Sequence, residues 1–109
     1  MKRLPARFYR SDSGNEPVRN WLLSLNKTDR TKVGEDIKEV EFGWPVGMPT
    51  CRPMGSGLFE IRTSLNHRIA RVLFCVHSGF MILLHGFVKK TEQTPQAELE
   101  VARDRMKTL

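Results

Sequence analysis

Little in this chain of 109 residues supports a cross-linked, membrane-spanning or repetitive architecture. Its two cysteines, Cys51 in an expected loop and Cys75 in an expected strand, do not make a disulfide framework, so a reduced cytoplasmic setting is expected. Apolar runs are far too short to cross a bilayer, and Met1-Lys2-Arg3-Leu4-Pro5 lacks the apolar core of a signal peptide. Low-complexity tracts and internal repeats are missing too. Cys75, His77 and His85 fall near one another, but their spacing matches no standard zinc pattern and supplies no fourth ligand, so neither metal nor cofactor is expected. What remains is an ordinary globular composition, 39% hydrophobic and 28% charged, long enough for one domain over residues 1–109 with a modest core.

The chain does have basic charge, and it is unevenly placed. The net charge is +6. Lys2, Arg3, Arg7 and Arg10 meet no acid at the start of the chain, and Arg62, Arg68, Arg71, Lys89 and Lys90 meet only Glu60 between residues 60 and 90. The segments 11–59 and 91–109 are each slightly acidic. A basic patch is ordinarily a solvated face, but one concentrated on a sheet suits a polyanion and points toward nucleic acid.

Periodicity gives the order of elements. Arg7 to Arg10 reads as a short strand before a turn at Ser11-Asp12-Ser13-Gly14. Val18, Trp21, Leu22 and Leu25 recur at helical spacing behind Pro17 in the first turn. A break at Asn26-Lys27-Thr28, with Thr28 as the cap, introduces a second helix that buries Val33, Ile37 and Val40. The two helices are expected to form an antiparallel hairpin laid across a sheet. Four glycines and three prolines between Gly43 and Gly57 predict an irregular loop, with Arg52 its only charge. Three strands follow, and Thr94-Pro95 reads as a cap and first turn for a last helix with Leu99, Ala102 and Met106 on its apolar stripe.

The last two strands allow a register argument. A three-residue loop, His77-Ser78-Gly79 with Gly79 left-handed, pairs Val76 with Phe80 and sets Arg71 directly opposite His85. Ala70, Val72, Phe74 and Val76 then share an apolar face with Phe80, Ile82, Leu84, Gly86 and Val88. Ile69, Arg71, Leu73, Cys75, Met81, Leu83, His85, Phe87 and Lys89 take the other face. A two-residue Ser78-Gly79 loop would shift one strand by a residue and put Arg71 among Leu84, Gly86 and Val88, where burying an unpaired charge is costly. The three-residue loop is therefore expected. Phe59 and Ile61 fit the apolar face, leaving Glu60 and Arg62 with the charged group.

The run LFEIRTSLNHRIARVLFCVHSGFMILLHGFVKKTEQTPQAELEVARDRMKTL resembles the phage-derived HigB-like toxins of the RelE/ParE superfamily. The likeness is strongest over Leu58–Met106, and Glu16-Pro17-Val18 with Trp21-Leu22 extends it over most of the chain. It implies an α+β fold in which a small antiparallel β-sheet packs on an N-terminal helical hairpin, with a C-terminal helix. It also implies the toxin of a type II toxin–antitoxin pair, commonly an endoribonuclease cleaving ribosome-bound mRNA, with a small antitoxin partner of helix-turn-helix type. Arg71 falls where these toxins place a strand arginine, and Lys89 and Lys90 fall on the basic pair after the last strand. Nucleases of the superfamily often use a tyrosine near the C-terminus, whereas the one tyrosine here is Tyr9. A ParE-like inhibitor that binds a protein such as DNA gyrase therefore stays open.

RNA scission without metal needs a base for the ribose 2′-hydroxyl, cations for the charge growing on phosphate, and an acid for the leaving 5′-oxygen. Arg71, His85, Lys89 and Lys90 are the expected catalytic group: Arg71 as a phosphate fork, the lysines as point charges or acid, His85 as base or acid. Arg62, Arg68 and Arg52 are expected to hold RNA. Glu60 is expected to orient Arg62, with Glu60 or a backbone carbonyl as the bland partner for His85. His67 and His77 are read as surface residues, and Cys75 as core.

Overall fold

A computed structural model describes residues 1–109. Eight elements follow in the order β1 (Ala6–Phe8), α1 (Pro17–Ser24), α2 (Lys27–Gly43), β2 (Cys51–Gly55), β3 (Leu58–Leu65), β4 (Arg68–His77), β5 (Phe80–Lys89) and α3 (Gln96–Met106). The strands form one five-stranded sheet in the order β1-β5-β4-β3-β2, antiparallel except for the parallel β1–β5 pair. The architecture is α+β: N-terminal helices, a mostly antiparallel sheet and a C-terminal helix. None of the helices is long and apolar enough to cross a membrane.

Helices cover both faces. Val18 of α1 and Val33, Ile37 and Val40 of α2 pack with Ile61, Ala70, Val72, Phe74, Met81 and Leu83 in the larger core. Here α1 lies against β5 and α2 against β3. On the opposite face Ala102 of α3 packs with Leu58, Leu73, Cys75, Ile82, Leu84 and Phe87 in a second core. The side expected to be cationic is therefore apolar over the half beneath α3.

Several local expectations are corrected. The first strand is Ala6–Phe8 rather than residues 7–10. Asn26 caps α2, accepting from the Asp29 amide at 2.8 Å, and Thr28 lies inside the helix. Pro95 is the cap position of α3, and Thr94 turns its hydroxyl to Glu60 instead of the helix. Within the expected Gly43–Gly57 loop, Cys51–Gly55 forms β2 along β3. Pro53 is tolerated because β2 is an edge strand, where a missing N–H breaks no ladder.

The β4–β5 hairpin differs most instructively. Its turn has two residues, Ser78 and Gly79, both with positive φ (51° and 81°), and His77 pairs with Phe80. That geometry matches the right-handed twist of the flanking strands. The register then slips by one residue between Leu73 and Phe74: Phe74 pairs with Leu83, but Leu73 pairs with His85. Leu84 is the extra residue of a β-bulge. Between the turn and the bulge the faces are the reverse of those expected, so Met81 and Leu83 join the larger core while Ile82 and Leu84 join the second. Beyond the bulge the parity is restored. Arg71 and His85 share a face as expected, but Arg71 stands opposite Phe87 and His85 opposite Leu73.

Gly86 marks a close approach on the larger-core side. The Trp21 indole of α1 lies on its backbone, and a Cβ there would run into the ring.

Candidate nucleic-acid interface

Cross-strand registers place the charged residues in rows on the face that carries α3. Arg52, Glu60, Leu73 and His85 form one row across β2, β3, β4 and β5; Arg62, Arg71 and Phe87 form the next. Neighbouring strands lie about 4.8 Å apart, so the first row spans about 14 Å, the width of a few nucleotides.

Glu60 organises one end. Its carboxylate is fully buried and accepts from Arg62 Nε at 2.7 Å through one oxygen and from the Thr94 hydroxyl through the other. Arg62 turns its outer nitrogens to Glu92, reaching the carboxylate at 3.3 Å and also the main-chain carbonyl. Glu60 is thus bound to Arg62 and not to His85.

Arg71, expected to present a fork to phosphate, is fully buried. It donates to the carbonyls of Thr91 and of Gln93, the latter at 3.3 Å, while its Nε has no partner. Burial first, and the neighbouring Arg62 next, push its pKa below the usual guanidinium value. The Phe87 ring neighbours both Arg71 and His85: the guanidinium carbon is 5.9 Å from its centroid, and the imidazole stacks on it at 5.5 Å.

His85 has partners that sequence reasoning missed, both on α3. Nε2 meets Glu98 Oε1 at 2.8 Å, and Nδ1 faces Arg105 Nη1 at 3.4 Å. The other Glu98 oxygen lies 3.9 Å from Lys89 Nζ, so one carboxylate bridges the histidine and the lysine. Arg105 Nη1 also donates to the Leu84 carbonyl at 2.7 Å, and desolvation pushes the Arg105 pKa down. A signal existed: Glu98 and Arg105 stand four before and three after buried Ala102, which sets both on the sheet-facing stripe. Tyr9 lies under the same helix, its hydroxyl 3.2 Å from that of Thr108.

The remaining expected residues are dispersed. Lys90 is exposed. Arg68 pairs with buried Asp29 of α2 at 2.9 Å, which ties the β3–β4 turn to the helix. Arg52 and Arg62 line a cleft of about 460 Å³ with Thr50, Ser64, Asp36 and Glu92. The structure therefore gathers Arg52, Glu60, Arg62 and Arg71 at one end of the face and His85, Lys89, Glu98 and Arg105 at the other, and sets Arg68 apart. No three His, Cys, Asp or Glu side chains converge as a metal site.

Such a face can grip a phosphodiester chain through guanidinium forks and offer a histidine–carboxylate pair for proton transfer. Residues 20–107 match a family model described as Phage derived protein Gp49-like (DUF891). Comparison with curated proteins gives no match.

Proposed function

Starting from the fact that the chain belongs to the Gp49-like family, a HigB-like family of RelE/ParE toxins, we propose that it is the toxin of a type II toxin–antitoxin pair and an endoribonuclease that cleaves ribosome-bound mRNA. The observation that carries this reading is the alignment of Arg52, Arg62, Arg71 and Lys89 with the His85–Glu98 pair on one sheet face. A surface built only to bind a protein has no need of that combination.

The chemistry balances without an added co-reactant. The 2′-oxygen attacks the adjacent phosphorus and gives up its proton; the bond from phosphorus to the 5′-oxygen breaks, and that oxygen takes a proton. The products carry a 2′,3′-cyclic phosphate and a 5′-hydroxyl. Arg62 and Arg71 neutralise the phosphate oxygens, Lys89 and Lys90 supply further positive charge, and Arg52 extends the grip on the backbone. His85 exchanges protons with Glu98 orienting the ring. Nδ1 is the nitrogen open to competition by a substrate hydroxyl, because Arg105 Nη1 has a shorter bond to the Leu84 carbonyl than to the ring.

A cationic toxin of this kind requires a neutralising partner. We assign that role to a small helix-turn-helix antitoxin, with acidic groups complementary to the basic face. The test is controlled expression in a bacterium with mapping of RNA 5′ ends. Breaks inside reading frames, relieved by co-expression of the antitoxin, support the reading. Intact mRNA with DNA damage or gyrase arrest replaces it with the ParE-like alternative.

A further inference from the structure

The connection from β5 to α3 crosses the cationic face and is held there almost wholly by the cations themselves. Arg62 binds the carboxylate and carbonyl of Glu92, Arg71 binds the carbonyls of Thr91 and Gln93, and the Thr94 hydroxyl reaches the Glu60 carboxylate that orients Arg62. Thr91, Glu92 and Gln93 are exposed, and the Glu92 side chain is 87% accessible. No apolar side chain between Thr91 and Thr94 fastens the segment to the body. A stretch held by polar contacts and little hydrophobic burial belongs to the easily opened part of a fold.

Of the two arginines beneath it, Arg62 already holds Glu60 and Glu92, whereas Arg71 contacts no anion. Arg71 is fully buried, forms no ion pair and leaves Nε without a partner. A buried cation is ordinarily matched by a full negative charge, and carbonyl oxygens provide only partial ones. The outer nitrogens of Arg62 hold an exposed carboxylate, the kind of pair that solvent and competing anions displace readily. A phosphodiester carries a full charge over two oxygens, which suits adjacent guanidinium forks better than the groups now present.

The geometry points to Thr91–Thr94 as a displaceable strap whose Glu92 carboxylate and Thr91 and Gln93 carbonyls occupy the place of an RNA phosphodiester between Arg62 and Arg71. Docking of the phosphate lifts the strap and gives Arg71 its counter-ion. This inference rests on the reading of the face as an RNA-binding surface and adds its regulation: the resting site is masked by its own chain.

The test uses the full chain and a 2′-deoxy oligonucleotide, which cannot be cleaved by 2′-hydroxyl attack. Titration should shift the Nε–Hε resonances of Arg62 and Arg71 together with the backbone amides of residues 91–94. Glu92→Gln should bind the oligonucleotide about two- to fivefold more tightly, the range expected from losing one exposed ion pair. Glu100→Gln makes the same charge change at an exposed position of α3 and should show no comparable gain. Unshifted Arg71 and strap resonances at saturation overturn the inference, as does an equal gain in both variants or none in Glu92→Gln. Strap displacement in a protein that leaves mRNA intact would uphold the inference while defeating the nuclease reading.

Discussion

Replacing Glu60 by leucine tests the linkage between the buried carboxylate, Arg62 and the strap. The substitution leaves Arg62 Nε without its 2.7 Å acceptor and the buried Thr94 hydroxyl without any. Removing one partner of a buried ion pair costs about 3–5 kcal/mol. Arg62 is 15% exposed and keeps Glu92, which lowers the expected cost to about 2–4 kcal/mol. For a domain of this size that corresponds to a fall in Tm on the order of 10 °C. Urea unfolding of the wild type, Glu60→Leu, Arg62→Met and the double variant reads the effect directly. The double variant should be more stable than the sum of the single losses, because it leaves no stranded charge. A Glu60→Leu protein within about 0.5 kcal/mol of wild type, or strict additivity in the cycle, would refute the reasoning.

Three further outcomes follow from particular residues. Gly86→Ala drives a methyl into the Trp21 indole and should cost about 1–3 kcal/mol in urea unfolding; the loss should shrink in a Trp21→Ala background, and an equal loss there would place the strain elsewhere. Burial pushes the Cys51 thiol up to about 11 and also raises that of Cys75, so both stay protonated at neutral pH; an aromatic disulfide reagent should label neither in the folded protein and both in urea, and rapid native labelling would contradict their placement. Lys89→Ala with Lys90→Ala should reduce the salt slope of single-stranded RNA binding by roughly 1.4, about 0.7 for each phosphate contact; an unchanged slope would make the pair a merely solvated surface.

The element types were largely legible because β3, β4, β5 and the helices repeat apolar residues at their own periods. The face shared by Arg71 and His85 was legible too, although the argument for it assumed the wrong turn. A two-residue turn reverses the faces, and the bulge at Leu84 reverses them back. Nothing in Ile82-Leu83-Leu84 marks a bulge, since each residue suits either side of a two-cored sheet. The strand β2 was hidden by glycine and proline, which an edge position tolerates. Burial of Arg71 was not legible, because its acceptors are main-chain carbonyls about twenty residues later, which carry no side-chain signature. Glu98 and Arg105 were visible as residues of an amphipathic helix, but pairing them with His85 requires knowing that α3 folds back over β5.

The chemistry of the RNA ends tests the central claim most directly. Attack by the 2′-hydroxyl leaves a 5′-hydroxyl on every downstream fragment. mRNA recovered from ribosomes after brief expression of the chain should therefore carry new 5′-hydroxyl ends within reading frames, and these should disappear when Arg62 and His85 are replaced together. An absence of new internal ends during full growth arrest, or new ends bearing 5′-phosphates, would contradict the account.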